Sequence, residues 1–588
     1  MRERGIRPRR RSRVFKRGAA DRRAAPQHQQ RARAARAPSQ QWETLPSPAS
    51  IPRPVVGLPS DHSGGGGWSI SATMPPPLPR RRLLCALALA LLASPATAQR
   101  ASPSSLRREP STGEVVAHPH FSARGATLSR PPVVAFYYAW YGNPENDGSY
   151  RHWNHAALPH WDAAVNAATF GSADPDAEAL AAHVRLEPPQ RVHAAFYPER
   201  GCYSSVDPNA LDAQIEEALA AGIDAFAVSW WGRPEHKGAA DSQGVNTDQA
   251  VFALVAAAER SIRRRSDPTS DDGDRLDGGL GLAGEGGGMR VAFHLEPYPG
   301  RTAETVRADL RYLIDRFGAS DALLRGGAER GSGPVFFVYD SYLTAAAEWA
   351  TLLGPRTDGS SGSSGSSVRG TALDGFFVGL WLTRSDAAQI ERGGFDGAYT
   401  YFASDASSDA SDPSRWRGMA EEARSRRLAF VPCVGPGYND TKVRPWNARA
   451  TRGREGGRRY ARRWRLALDA APAAVGVTSW NEWGEGTQIE PAAARPGYAA
   501  YDVAEDARAD EPGWRAAIRE EGAGGADPGG GSSSNGRGEA GTLGARADPG
   551  LYLDVTRHFA RRLASPGFDA GGAGEVPEDG AARGREEL

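Results

Sequence analysis

The chain has 588 residues, with 71 Lys plus Arg against 70 Asp plus Glu and a formal charge of +1, a balance that points to no polyanionic partner. Three cysteines in that length exclude a disulfide-stapled miniprotein and a zinc-ribbon array. The length admits up to about four average domains, or one α/β barrel with long loops.

The near-zero sum conceals an asymmetry. Residues 1–40 carry 14 basic and 2 acidic side chains, a local charge of +12, so the other 548 residues carry −11. Residues 1–73 are rich in Arg, Pro, Ala, Gln and Gly and have no apolar period, which reads as a disordered basic leader. No folded nucleic-acid reader accompanies the arginines, so nucleic acid is not an expected partner. From Met74 the pattern changes. Arg80, Arg81 and Arg82 flank an 11-residue apolar run, Leu83 to Ala93, followed by the small residues of Ala96-Thr97-Ala98. Residues 74–98 thus have signal-peptide architecture, and the run is shorter than the roughly 20 residues of a spanning helix. Two readings follow. In one the signal is cleaved, Met74 is the initiator, and residues 1–73 are a gene-model artefact. In the other the segment is an uncleaved anchor, the one route by which a membrane becomes a partner. Both send the remainder into the secretory pathway behind a linker at 99–129. Cleavage would remove Cys85 and leave Cys202 and Cys433 as one disulfide or as two buried thiols. Asn439-Asp440-Thr441 matches the N-glycan acceptor pattern.

Beyond the linker, short aliphatic and aromatic runs alternate with helix-like stretches. The runs are 133–138, 225–230, 291–295, 335–339, 376–380, 398–402, 428–432 and 474–480, and they show little polar alternation, as strands covered on both faces do. Helices are predicted at 209–221, 248–260, 303–317, 384–392, 415–427 and 455–470, with a last one opening at Leu551. Eight such couplets predict an α/β fold, a (β/α)8 TIM barrel over 130–567 with long βα loops. Low-complexity inserts are expected near 261–288, 355–370 and 503–545, and a disordered tail over 568–588. An open doubly wound sheet fits less well. No Gly-x-Gly-x-x-Gly follows the first run, and there is no Gly-Lys-Ser/Thr phosphate loop, so no nucleotide cofactor is expected.

The polar and aromatic residues gather after the runs, at the rim where barrel enzymes hold their sites. The first run leads into Tyr138, Trp140 and Tyr141, then His152 and His155. The second ends at Trp230, the third leads to His294, Glu296 and Tyr298, and the fourth ends at Tyr339. Tyr438 follows the seventh; Trp480, Asn481, Glu482 and Glu485 follow the eighth. Aromatic faces stack on the C–H faces of sugar rings, and carboxylates and amides bind hydroxyls. Two carboxylates at one glycosidic bond supply the acid and base work of its hydrolysis. Glu482 and Glu485, three apart between Trp483 and a Gly-rich turn, should couple, raising the proton affinity of one. His152, His155 and His160 stand beside Trp153 and Asn154, company that suits a sugar pocket better than a metal, and no metal or other cofactor is expected.

The segments that carry these residues resemble glycoside hydrolase family 99. They are Phe136 to Pro144, Phe293-His294-Leu295-Glu296-Pro297-Tyr298, Gly435-Pro436-Gly437-Tyr438 and Trp480 to Glu490. Phe196-Tyr197-Pro198, Tyr339-Asp340-Ser341-Tyr342, Phe395 to Phe402 and Arg444-Pro445-Trp446-Asn447 extend the likeness, which covers roughly 130–495 and 549–565. The resemblance implies a retaining endo-α-1,2-mannosidase that releases glucosyl-mannose from glucosylated high-mannose N-glycans in the Golgi. It implies that Glu482 deprotonates the 2-hydroxyl of the mannosyl unit, whose oxygen then forms a 1,2-anhydro sugar. Glu485 would protonate the departing oxygen and later activate water. A covalent glycosyl-enzyme on Glu482 is the alternative route. Tyr298 and Tyr339, with His294 and Glu296, would occupy places around the −1 and −2 subsites. One departure stands out: animal relatives carry His where this chain has Gly484. The competing expectations are a related hydrolase of α-mannan or cell-wall polysaccharide, and a glycan-binding barrel without activity.

Overall fold

The aliphatic and aromatic runs form parallel strands that are buried along nearly their whole length. They are β1 Val133–Tyr137, β2 Ala225–Trp230, β3 Arg290–Leu295, β4 Gly333–Val338, β5 Phe376–Leu380, β6 Gly397–Tyr399, β7 Ala429–Val431, β8 Cys433–Val434 and β9 Val475–Val477. This is a computed structural model, and it describes residues 121–565 apart from scattered short gaps and the stretches 171–186, 267–286, 356–366, 503–513 and 516–546. The leader, the signal or anchor segment, the far tail and most of the three inserts lie outside the described residues.

The hydrogen-bonded order is β7-β6-β5-β4-β3-β2-β1-β9-β8. β7 pairs with β6 and β8 with β9, and only Pro432 separates β7 from β8. Proline has no N–H for a ladder, so the seventh run is one chain pass split in two, and the sheet closes through it. Nine segments thus make eight passes of a barrel. Each pass is followed by a helix: α1 Pro208–Ala220, α2 Asp248–Ser266, α3 Ala303–Phe317, α4 Ala346–Leu353, α5 Asp386–Gly393, α6 Trp416–Ser425, α7 Arg458–Asp469 and α8 Leu551–Leu563. The helix starts are written locally. Asp207 caps α1 ahead of Pro208, and Thr302 and Thr305 form a reciprocal capping box on α3. The last helix packs back as expected, with Thr556 on Tyr460 of α7 and Arg557 on the carbonyl of Ala220.

The barrel interior is a packed aromatic core. Phe136 lies 5.5 Å from Phe337 and 5.7 Å from Tyr399 between ring centroids. At the amino-terminal end, Arg130 grips Asp224 through two 2.8 Å bonds, and the same carboxylate accepts the Val133 N–H. A buried pair of this kind is satisfied on every side.

Four sequence expectations change in detail. The helix expected to end at 260 runs to Ser266, because Ile262 is buried and the Ser261 hydroxyl accepts the Met289 N–H at the mouth of β3. The stretch read as insert to 370 is ordered from Ser367: Arg369 is buried and bridges Asp374 and Asp396. The sixth run stops at Tyr399, since Tyr401 turns to φ 55°. Cys202 and Cys433 are both free thiols, so the disulfide reading falls; Cys433 sits in the barrel wall facing Gly476.

Candidate active site

β9 delivers its chain into a loop, 478–490, folded back on itself. Ser479 N–H donates to Thr487 O at 2.9 Å, and the N–H groups of Ile489 and Glu490 return to Ser479 O and Trp480 O. The Ser479 hydroxyl accepts the Glu482 N–H at 2.8 Å. Asn481 spends its amide on the neighbouring pass: Oδ1 accepts the Tyr138 N–H at 2.7 Å, while Nδ2 donates to Tyr138 O and to the Tyr203 hydroxyl. Tyr141 closes the turn, donating to Asn481 O and accepting the Trp483 N–H. From below, Arg454 donates to Gly486 O and Gln488 O with its guanidinium near the rings of Phe196, Tyr501 and Tyr552. Backbone and neighbours are committed, so the Glu482 carboxylate is left to the cleft, while that of Glu485 also accepts from Arg444.

That cleft has a volume of about 540 Å³ and is lined by Trp140, Tyr141, His152, Trp153, His155, Leu158, His193, Val443, Arg444, Trp483 and Gly484 beside the two glutamates. Glu482 is buried, at 6 % exposure, whereas the Glu485 side chain keeps 28 %. Burial, and then the Glu485 charge, push Glu482 well above the ordinary carboxylate range. Burial also raises Glu485, but Arg444, 3.2 Å from its Oε1, opposes the rise. The coupling expected from the spacing is therefore present, and two anions here are not cheaply held together.

Aromatic and imidazole rings build the walls. Trp140 and His152 stack at 4.3 Å and 4° apart in plane, and His152 Nε2 lies 2.6 Å from the buried Asp241 carboxylate. His155 and His193 stack at 5.2 Å. Burial depresses all three imidazoles, His155 to about 4 and His193 to about 2, so they stand neutral at physiological pH. Deeper in, the Ser229 hydroxyl donates to Glu296 Oε1, which lies 3.0 Å from His294 Nδ1. His294 Nε2 meets the Tyr399 hydroxyl at 3.0 Å, and its ring lies 5.3 Å from Tyr339.

The structure thus brings together Tyr138, Trp140, Tyr141, His152, His155, His294, Glu296 and Tyr339 with the glutamate pair, directly or through touching rings. Other predicted site residues do different work. Trp230 shares the outward parity of Phe226 and Val228, stacks near Tyr312 of α3 and donates to Asp248. Tyr298 turns its hydroxyl to Asp309 of the same helix. Trp480 is fully buried against Phe226, and Asn481 is a backbone clasp. Tyr438 donates to Asp440, one residue removed from the pair through Arg444. In the acceptor motif, Asn439 Oδ1 already accepts from both Thr441 groups, while its N–H donates to Glu485 O.

Sequence reasoning missed four residues. Tyr401 joins its hydroxyl to that of Tyr138 and stacks on His294. Arg444 and the fully buried Asp440 hold Glu485 from behind. Glu490 collects donors from Tyr203, Gln214, Trp483 and Arg200, and burial lifts it to about 7. Tyr401, Arg444 and Glu490 lie inside quoted motifs, and only the fold shows which members face inward. Among the described residues, no cluster of three or more His, Cys, Asp or Glu is arranged to hold a metal ion.

Comparison with known proteins gives a consistent result. The sequence model of Glycosyl hydrolase family 99 matches residues 130–263 and 282–507. Glycoprotein endo-alpha-1,2-mannosidase of Xenopus laevis is 38 % identical over 359 residues, 61 % of this chain and 69 % of that protein. The Rattus norvegicus protein of the same name is 35 % identical over 383 residues, 64 % and 72 % of the two chains. Among solved structures, the GH99 endo-alpha-mannosidase of Bacteroides thetaiotaomicron superposes with a TM-score of 0.50 at 30 % identity, covering 74 % of this chain and 98 % of its own. The chain belongs to glycosyl hydrolase family 99.

Proposed function

We propose that the protein is a retaining, endo-acting α-1,2-mannosidase that releases glucosyl-mannose from glucosylated high-mannose N-glycans, working in the Golgi lumen behind its 74–98 leader. The observation that carries this reading is the pair Glu482 and Glu485 in one aromatic-walled cleft, at the carboxyl end of the barrel. The names of the relatives supply the linkage.

The chemistry needs two carboxylates. Glu482 removes the proton of the mannosyl 2-hydroxyl while that oxygen attacks C1 from the face opposite the leaving group. Glu485 gives its proton to the departing glycosidic oxygen, and a 1,2-anhydro sugar remains. Water then adds at C1, losing a proton to Glu485 as the epoxide oxygen regains one from Glu482. Two inversions at C1 give net retention. Neutral His152 and His155 present lone pairs to sugar hydroxyls, and Trp140 offers a ring face.

The test is to incubate the protein with a glucosylated high-mannose N-glycan and follow the products by time-resolved proton NMR. Early α-configured glucosyl-mannose is the expected product. A β-configured first product, or release of single hexoses, would overturn the reading. Cleavage confined to unglucosylated α-mannan would move the substrate to the polysaccharide class.

A further inference from the structure

We infer that Arg444, braced by Asp440, is a positioning residue that fixes the negative charge of the carboxylate pair on Glu485 and leaves the pair's one proton on Glu482 in the free protein. Arg444 Nη1 stands 3.2 Å from Glu485 Oε1 and 3.2 Å from Asp440 Oδ2. The bracing carboxylate is fully buried and also accepts from the Tyr438 hydroxyl at 2.8 Å and Asn447 Nδ2 at 2.9 Å. The Arg444 N–H returns to Asp440 O at 2.7 Å. One guanidinium nitrogen, Nη1, therefore bridges the two carboxylates, and the group keeps its charge at any working pH. Among the described residues, no cation forms an ion pair with Glu482, which is also the more buried of the two.

Other groups also surround the pair. Glu296 acts on both as a further acid and favours one retained proton, whereas Tyr138 and Tyr401 stay neutral and add no charge. Asp440 acts on Glu485 alone and there opposes the guanidinium, while Tyr339 and Tyr438 stay neutral. His155, on the far side of Arg444, is held neutral by burial. At Glu485 the guanidinium contact outweighs Asp440, and together with the deeper burial of Glu482 it breaks the symmetry. Directions of proton affinity agree: the Arg444 charge works against the rise at both carboxylates but adds a direct hydrogen bond only at Glu485, and Glu482 stands well above the usual range.

A consequence follows that rests on the proposed roles. A base at Glu482 and an acid at Glu485 require the opposite placement, so substrate binding must move one proton from Glu482 to Glu485 as sugar hydroxyls take over the guanidinium. The transfer breaks one O–H bond and forms another, with no further reactant.

Infrared difference spectroscopy of the full chain at neutral pH reads the proton without turnover. Relative to the parent, Glu482→Gln should lose the protonated-carboxyl band of the pair and Glu485→Gln should keep it, the Glu490 contribution being common to all and cancelling in the difference. The pair's band should return in Glu482→Gln/Arg444→Gln, where Glu485 is freed of the guanidinium. Persistence of the band in Glu482→Gln, or its failure to return in the double variant, would overturn the inference. Asp440→Asn should act in the same direction as Arg444→Gln, more weakly. In the turnover arm, Arg444→Gln should move the alkaline limb of kcat/KM up by roughly one pH unit, and Arg444→Lys should bring it back. An unmoved limb also counts against Arg444. Infrared behaviour as expected, with no turnover of any glycan, would instead count against the proposed reaction and leave the charge placement standing.

Discussion

Asn481 grips Tyr138 at both ends of one peptide position, accepting its N–H at 2.7 Å and donating to its carbonyl at 3.0 Å. The side chain thereby adds a rung to the ladder between β1 and β9 just where both strands have ended, and it seats the neighbouring Glu482. Asn481→Asp replaces the Nδ2 donor with an acceptor facing the Tyr138 carbonyl. The expected cost is about 2 kcal/mol for the buried unsatisfied contact, read from the denaturation midpoint. Turnover should fall with it, because the turn that carries the glutamates loses its register. A variant as stable and active as the parent would refute the clasp.

The two glutamates separate by leaving group. Glu482→Gln should lose turnover of every glycoside by about two to four orders of magnitude, since each needs the 2-hydroxyl deprotonated. Glu485→Gln should lose as much on a natural glycan but far less on a mannoside with an acidic aryl leaving group, which departs without a proton. Calorimetric binding of the intact glycan should survive both changes. Equal losses on both substrates for Glu485→Gln would remove its role as the acid.

The barrel was legible because strands covered on both faces read as unbroken apolar runs, and the glutamate pair because Trp and Gly bracket it. The departures from the expected placement have local causes. Trp230 was placed in the site by its position at a strand end, but strand parity sends it outward with Phe226 and Val228, and Tyr312 and Asp248 receive it. Tyr298 follows the third strand closely, yet its hydroxyl is taken by Asp309, eleven residues on. Tyr401 was read as part of a strand; its φ of 55° swings it to Tyr138 and His294, a turn that no apolar pattern signals. Arg444 was visible only as part of a motif, because its partners Asp440 and Glu485 come from loops after different strands.

Two stacked imidazoles make stability depend on acid. Burial depresses His155 to about 4 and His193 to about 2, so the folded state binds fewer protons than the unfolded chain below the unfolded value near 6.5. Their contribution is fully present above that value and is lost as pH falls from about 6.5, towards 4 for His155 and towards 2 for His193. For His155 alone the loss is about 3 kcal/mol. Neither ring nitrogen of His193 has a hydrogen-bond partner among the described residues. His193→Phe should therefore raise the unfolding free energy at pH 7 by about 1 kcal/mol and flatten its slope below pH 6.5. Denaturant titrations at pH 5 and pH 7 read both, and an unchanged slope would show that the unfolded chain does not protonate here.

Two glycines in the 478–490 loop should respond differently to the same substitution. Gly486 sits at φ 63°, and an added Cβ would come within 2.8 Å of Asn439 O. Both the left-handed backbone and the clash with main chain oppose a side chain there. Gly486→Ala should cost about 2–3 kcal/mol and, by pushing on the Asn439 segment whose N–H holds Glu485 O, reduce kcat. Gly484 has no such backbone demand. Its added Cβ would stand 3.3 Å from both Glu482 Oε1 and Val443 Cγ2, close but accommodated by small side-chain shifts. Gly484→Ala should leave the denaturation midpoint nearly unchanged. Because Gly484 lines the cleft, the methyl group should narrow the space beside Glu482 and raise KM for the glycan more than it lowers kcat. If Gly484→Ala leaves KM unchanged, the substrate does not approach that wall.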